Sequence, residues 1–350
     1  MGGHAEARDA ASRGRNGPRK VKRRAFLGTL AAAVLTPRAS TARQSRTTFR
    51  IGFLSSFPLP PEGRTPLTDA LESGLRDLGY AVGSSLEIER RSPIVWAGQE
   101  AELAARAAEL IALRVDVIVA VWNPAIVAVQ RAATPIPVVM VGAVDPVGHG
   151  FVASLSRSGT NMTGLTWDIG IARQLEVLRE VIPTLSSVAV LREPAVGWGS
   201  TYWREAEVTA LRLGIRLLSV EVHGPDDFDS AFRAIGQGRV DALVLLASQL
   251  VWRSSGLIMG FARENRLPVL APRKHFAEAG AIISYAVNDH ALYRQAAGYV
   301  HKLLQGRKPA DLPVERPVVL ELVVNKSAAK ALGLTIPHSL LGWADDVIDP

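Results

Sequence analysis

Short apolar runs alternate with amphipathic stretches along this chain, and the whole alternation occurs twice. Arg50-Ile51-Gly52-Phe53-Leu54-Ser55 reads as a buried strand ending in small polar residues, and the amphipathic stretch from Thr65 to Leu78 stops at Gly79. The pattern continues with a strand from Leu86 to Glu89, a helix from about Gln99 to Leu113, and a strand from Asp116 to Val121. A helix from Pro124 to Ala132 and a strand from Val138 to Val141 follow. Near-continuous apolar strands separated by helices of this length imply an α/β fold, a doubly wound parallel sheet covered on both faces.

About 130 residues later the same punctuation returns. Leu78-Gly79 corresponds to Leu213-Gly214, Arg114-Val115-Asp116 to Arg239-Val240-Asp241, and Ile136-Pro137-Val138 to Leu267-Pro268-Val269. Three matches in one order favour two similar doubly wound lobes with a cleft between them. Gly142 to Gly164, rich in Gly, Ser, Pro and Asn, is the natural first connection between the lobes.

A chain of 350 residues, 48% hydrophobic and 21% charged, has ordinary globular composition and room for two domains. Its net charge of +7 lies wholly in residues 1–42, which hold 9 Lys/Arg and 2 Asp/Glu and leave 31 of each sign for the rest. No dense basic run follows, so no nucleic-acid partner is expected. Arg23-Arg24-Ala25-Phe26-Leu27 opens an 11-residue uncharged stretch to Leu35, followed by Ser40-Thr41-Ala42. That is an export signal with cleavage near Ala42, too short to span a bilayer, and its paired arginines resemble a twin-arginine signal. The charged lead-in before Val21 is long, so translation is expected to begin near Val21. Cysteine is absent, which removes disulfides, thiolate nucleophiles and a lipidated cysteine anchor.

No phosphate-binding loop, nucleophile elbow or complete dinucleotide glycine triplet is present, and no two of the seven histidines make an i, i+4 ligand pair. Asp226, Asp227 and Asp229 complement a helix dipole better than they make a metal site. Neither catalysis, cofactor nor metal is expected. In open α/β sheets ligands bind beyond the carboxyl ends of the strands, which here are Ser55-Ser56, Asn123-Pro124-Ala125, Glu193-Pro194 through Ser200-Thr201, and Ala247-Ser248-Gln249. Asn123 as N-cap and Pro124 as first helical residue leave backbone donors that suit a carboxylate, or simply start the helix. Trp122, Trp167, Trp198, Tyr202, Trp203, Trp252 and Tyr285 lie at or near these turns, and two or three of them are expected to line the cleft.

Several segments resemble the tryptophan/tyrosine-type ABC transporter substrate-binding family. They are Ile-Gly-Phe-Leu at 51 to 54, Gly-Leu-Arg-Asp-Leu-Gly-Tyr at 74 to 80, Asp-Val-Ile-Val-Ala at 116 to 120 and Asp145-Pro146-Val147-Gly148. Asn161-Met162-Thr163-Gly164, Ser284-Tyr285, Leu312-Pro313-Val314-Glu315 and Lys330 to Pro337 belong with them. The resemblance implies a type I periplasmic binding fold crossed three times by the chain, near Asp145 to Gly164, Tyr285 to Asp289 and Pro313 to Pro317. It implies lobes of residues 46–160 plus about 287–314 and 161–286 plus about 315–350. It also implies a periplasmic location, with a ligand delivered to an ABC permease in the cytoplasmic membrane. The departures fall on the cleft: Trp122-Asn123 where small residues are common, Glu193 where Asn is common, and Ala286 where Gly often follows. Trp122 fills volume that a small residue leaves open, and Glu193 would favour a ligand amino group. The expected ligand-binding set is Ser55, Ser56, Trp122, Asn123, Pro124, Ala125, Asp145, Trp167, Glu193, Ser248 and Tyr285. The expected function is capture of a small carboxylate-bearing ligand, an amino acid or an aromatic or aliphatic acid, by a monomer; a sensory subunit that feeds a receptor or kinase is the alternative.

Overall fold

The computed structural model describes residues 48–94, 99–167, 170–194 and 200–349. The signal segment through Ala42, the start near Val21, and Trp198 lie outside the described residues, as does the side chain of Tyr202. Among the described residues no helix is long and apolar enough to cross a membrane.

The first half runs β1 (Phe49–Ser55), α1 (Pro66–Asp77), β2 (Leu86–Arg91), α2 (Glu100–Ala112), β3 (Val117–Val121), α3 (Trp122–Arg131), β4 (Val138–Ala143) and β5 (Met162–Thr166). The second runs α4 (Ile171–Val181), β6 (Ser187–Arg192), α5 (Ser200–Leu213), β7 (Arg216–Glu221), α6 (Phe228–Gly238), β8 (Ala242–Leu245), α7 (Gln249–Arg253), α8 (Ser255–Glu264), β9 (Val269–Ala271), α9 (Lys274–Glu278) and β10 (Ile283–Val287). The remainder is α10 (Asp289–Leu304), β11 (Val314–Glu315), β12 (Leu320–Asn325), α11 (Lys326–Ala331), α12 (His338–Leu341) and β13 (Asp346–Ile348). The boundaries follow local chemistry. Thr65 and Thr68 form a reciprocal capping box at α1 with Pro66 at the first position. The all-buried strands β3 and β4 are the continuous Val-rich runs expected of a parallel sheet covered on both faces.

Two sheets result. The first has order β11-β5-β4-β3-β1-β2 and the second β13-β12-β10-β9-β8-β6-β7. Every pairing is parallel except β10 with β12, so the fold is two doubly wound α/β lobes. The sequence repeat has a structural counterpart: β2-β1-β3-β4 in one lobe matches β7-β6-β8-β9 in the other. Gly79 and Gly214 both take positive φ after a helix, Arg114 and Arg239 both take it ahead of a strand, and Ala133 and Arg266 both take it before the next. Asp116 accepts the Arg50 N–H of its lobe's first strand, and Asp241 accepts the N–H groups of Ser186 and Ser187 in the same way.

One expected boundary moves. The resemblance implies that residues 162–166 lie in the second lobe, yet this strand pairs with β4 on one side and β11 on the other, in the first sheet. The Asp145 to Gly164 segment therefore connects two strands of one sheet, and the chain first passes between sheets after Trp167. It returns through Val287 to Asp289, since α10 packs on α1, β4 and β5, and passes over again between β11 and β12. One apolar cluster joins the lobes, and separate clusters cover the outer faces under α2 and α3 and under α6 and α8.

Candidate functional site

The carboxyl ends of both sheets face one another, and the residues there meet. From the first lobe come Phe57 after β1, Trp122 after β3 and Trp167 after β5; from the second comes Trp252 on α7. Trp122 lies 5.3 Å from Trp167 and 5.2 Å from Trp252 between ring centroids, and Phe57 lies 6.1 Å from Trp122 and 5.7 Å from Trp252. Gln249 Nε2 on the second lobe donates to Ser56 O on the first at 3.2 Å, so the lobes are closed on each other here.

Two charged groups flank the aromatic wall. The Arg273 guanidinium, after β9, lies 4.1 Å from the Trp252 ring centroid and 2.8 Å from Asp289 Oδ2, while Trp167 Nε1 donates to Asp289 Oδ1 at 3.0 Å. Asp289 begins α10 where the chain passes between lobes, so this triad ties both lobes to the crossing. Beside it a cavity of about 520 Å³ is lined by Ser55, Phe57, Leu67, Arg273, Val287, Asp289 and Tyr293. That volume lies within the range of small-molecule sites. Burial, with Asp289 nearby, raises the Tyr293 phenol above its ordinary range, so it stays a neutral donor.

Three buried polar atoms on this edge of the second lobe have no hydrogen-bond partner among the described residues: Arg273 Nε, Trp252 Nε1 and Glu193 Oε2. Buried polar groups are nearly always paired, so these three atoms are the groups on this edge that a ligand could satisfy.

The expected residues divide into wall and frame. Trp122 and Trp167 stand in the wall, and Ser55 lines the cavity with its Oγ accepting the Phe57 N–H at 2.9 Å. The expected Asn123 cap is not formed, and the Ala125 N–H is engaged within the protein. Asn123 does not cap α3: its Nδ2 donates to Val144 O at 2.9 Å and its Oδ1 accepts Val144 N–H at 2.8 Å, which pins the β4 exit. Ser56 supplies the cap instead, accepting the Ala125 N–H at 2.9 Å and donating to Val121 O at 2.7 Å. Ser56 and Ala125 thus engage each other, and Pro124 is exposed.

The remaining expected residues are also in frame positions. Asp145 holds its own loop, with Oδ1 accepting Gly148 N–H at 3.0 Å. Ser248 caps α7 by accepting Val251 N–H at 3.1 Å, and the Glu193 carboxyl takes the Ser248 hydroxyl and Leu250 N–H. Burial nevertheless raises the Glu193 carboxyl above its ordinary range, against the opposing pull of those donors. Tyr285 packs against the joint core, because strand alternation puts it on the face of Ile283 and Val287.

Sequence reasoning missed Phe57, Arg273 and Asp289. Arg273 follows a three-residue strand, and applying the strand-end rule to β9 as well would have found it. Phe57 is a single aromatic in a proline-rich loop with no local signal.

A family model for ABC transporter substrate binding proteins matches residues 59–348. The tyrosine-binding protein of Clostridioides difficile is 22% identical over 260 residues, 74% of this chain and 74% of that one. A crystal structure of a conserved domain protein from Vibrio cholerae matches with TM-score 0.76 and 27% identity, covering 86% of this chain and all of that one (100%). The crystal structure of an ABC domain in complex with L-Trp from Streptococcus pneumoniae matches with TM-score 0.76 and 24% identity, covering 86% of this chain and 100% of the other.

Proposed function

The chain belongs to the family of ABC transporter substrate-binding proteins, and from that premise we propose that it is an exported solute-binding protein that delivers a small carboxylate-bearing ligand to a membrane permease. The observation that carries this reading is the closed wall at the carboxyl edges of both sheets, with Arg273 and the cavity beside it. The unpartnered Arg273 Nε and Trp252 Nε1 are two donors for a carboxylate, joined by the Ser55 hydroxyl and the Tyr293 phenol on the cavity wall. Relatives that carry L-Trp or are named for tyrosine suit the same ligand class. Trp122 narrows the choice, because its indole takes up space within the cleft.

The mechanism is rotation of two rigid lobes about the crossings after Trp167, at Val287 to Asp289 and between β11 and β12. Opening separates Trp252 and Gln249 from Phe57, Trp122 and Ser56. A ligand that touches both edges binds the closed form better, and only that difference shifts the population. The closed form then presents the surface that the permease reads. The protein acts as a monomer without catalysis, in the periplasm, after loss of the segment ending near Ala42.

A thermal-shift screen of residues 43–350 against amino acids and aliphatic and aromatic acids tests this reading. A ligand at 100 times its Kd stabilises by about 2.7 kcal/mol. Stabilisation by at least one carboxylate, lost in Arg273→Gln, is expected. Stabilisation that survives Arg273→Gln unchanged would remove Arg273 from the site.

A further inference from the structure

We propose that the aromatic wall between the lobes receives a quaternary ammonium group, so that the ligand is a methylated zwitterion of the betaine class. This deepens the carboxylate reading above and rests on it for the anionic half only.

The argument begins with ring geometry. Trp122 and Trp167 are inclined at 47°, Trp122 and Trp252 at 77°, Phe57 and Trp122 at 71°, and Phe57 and Trp252 at 46°. Four rings set obliquely to one another make walls of a box rather than a stack for one flat ligand. Three are indoles, whose faces attract cations most strongly, and the attraction grows when the site is dry. Trp122 is 6% exposed and Trp167 is 1% exposed. The wall already holds one cation, since the Arg273 guanidinium lies on the Trp252 face.

Hydrogen-bonding capacity separates the kinds of cation. A primary ammonium brings three donors that need acceptors. Among the described residues beside the wall, Asp289 already takes Trp167 Nε1 and Arg273, and Asn123 Oδ1 takes Val144 N–H, while the Thr166 hydroxyl, next to Trp167 in sequence, has no partner. The unpartnered Trp252 Nε1 and Arg273 Nε are donors, which suit the ligand's carboxylate and not its cation. Among the described residues Glu193 Oε2 is an orphan acceptor on this edge of the second lobe, and burial biases that carboxyl towards its neutral form. A trimethylammonium has no N–H to satisfy and fits such a wall.

The rings touch in this closed arrangement. Trp252 rides on the second lobe and the other three on the first, so lobe rotation sets the gap between them and a bound cation takes its place there.

Titration calorimetry of the purified protein with glycine betaine, choline, glycine and acetate tests the proposal. Glycine and glycine betaine share a carboxylate and differ only in the methyl groups. The expected result is glycine betaine binding at least about tenfold tighter than glycine or acetate. Trp252→Leu should remove that preference and Trp252→Phe should keep most of it, with thermal melts checking that both fold. Glycine betaine binding no tighter than glycine would overturn the proposal. So would binding of acetate or glycine while neither methylated cation binds, and that outcome would leave the carboxylate reading standing. Choline binding with acetate and glycine both silent would support the cation wall and refute the carboxylate half. Silence from all four probes would overturn the methylated-cation proposal, whereas an L-amino acid that then bound would preserve the broader reading.

Discussion

Trp122 sits at φ +66°, in the left-handed region, at the head of α3 and in the middle of the aromatic wall. Two effects can be separated by replacing it with Ala and with Gly. Trp122→Ala removes a ring that touches Phe57, Trp167 and Trp252, and large-to-small changes of this kind cost about 3–5 kcal/mol. Ala keeps the left-handed backbone penalty of roughly 1–2 kcal/mol, which Gly escapes. Gly adds unfolded-state freedom worth roughly 0.5–1 kcal/mol in the opposite direction. The balance makes Trp122→Gly more stable than Trp122→Ala by about 0.5–1 kcal/mol, whereas within a regular helix Ala is better than Gly by about 1 kcal/mol. Urea denaturation of the two variants at equal m-value reads the difference directly. Trp122→Ala equal to or more stable than Trp122→Gly would refute the claim that residue 122 is held against its backbone preference.

Three further outcomes are expected. Ser56→Ala leaves the buried Ala125 N–H without its acceptor, and should cost about 1–3 kcal/mol in denaturant melts. Gly164→Ala places a Cβ 2.2 Å from Met140 O at φ +135°, and should yield a protein whose thermal midpoint falls well below that of the parent. The Asp241 carboxyl loses some stabilisation to desolvation, but the N–H and O–H groups of Ser186 and Ser187 outweigh this and hold it below the ordinary carboxylate range. A lowered carboxyl pKa contributes stability that is full above its unfolded value and is lost as pH falls through the folded one. Asp241→Asn should therefore flatten the acid side of a stability-versus-pH curve and leave its shape above neutral pH unchanged.

Much of this fold is written locally. The Val-rich runs at β3 and β4, the Thr65-Pro66 start of α1 and the paired punctuation at Leu78-Gly79 and Leu213-Gly214 each specify an element through short-range chemistry. The cleft is less legible, because its hydrogen bonds are long-range. Asn123-Pro124 has the form of a helix start, yet the cap arrives from Ser56, far back in the chain, and Asn123 turns to Val144 instead. Strand ends pointed to Trp122 and Trp167 as candidate wall residues and placed Trp252 near a turn. Their mutual contact depends on how two lobes close, which no local pattern encodes. The place of the strand Met162–Thr166 is hard to read for a similar reason: its Gly- and Thr-containing sequence resembles a linker until β4 and β11 flank it.

Hydrogen–deuterium exchange with and without a bound ligand tests the central claim most directly. Added protection is expected in both lobes at once, at Ser55 to Phe57 and Trp122 to Ala125 on one side and Ser248 to Trp252 and Arg273 on the other, together with Val287 to Asp289 at the crossing. Protection confined to one lobe, or lying away from these segments, would contradict capture between the lobes.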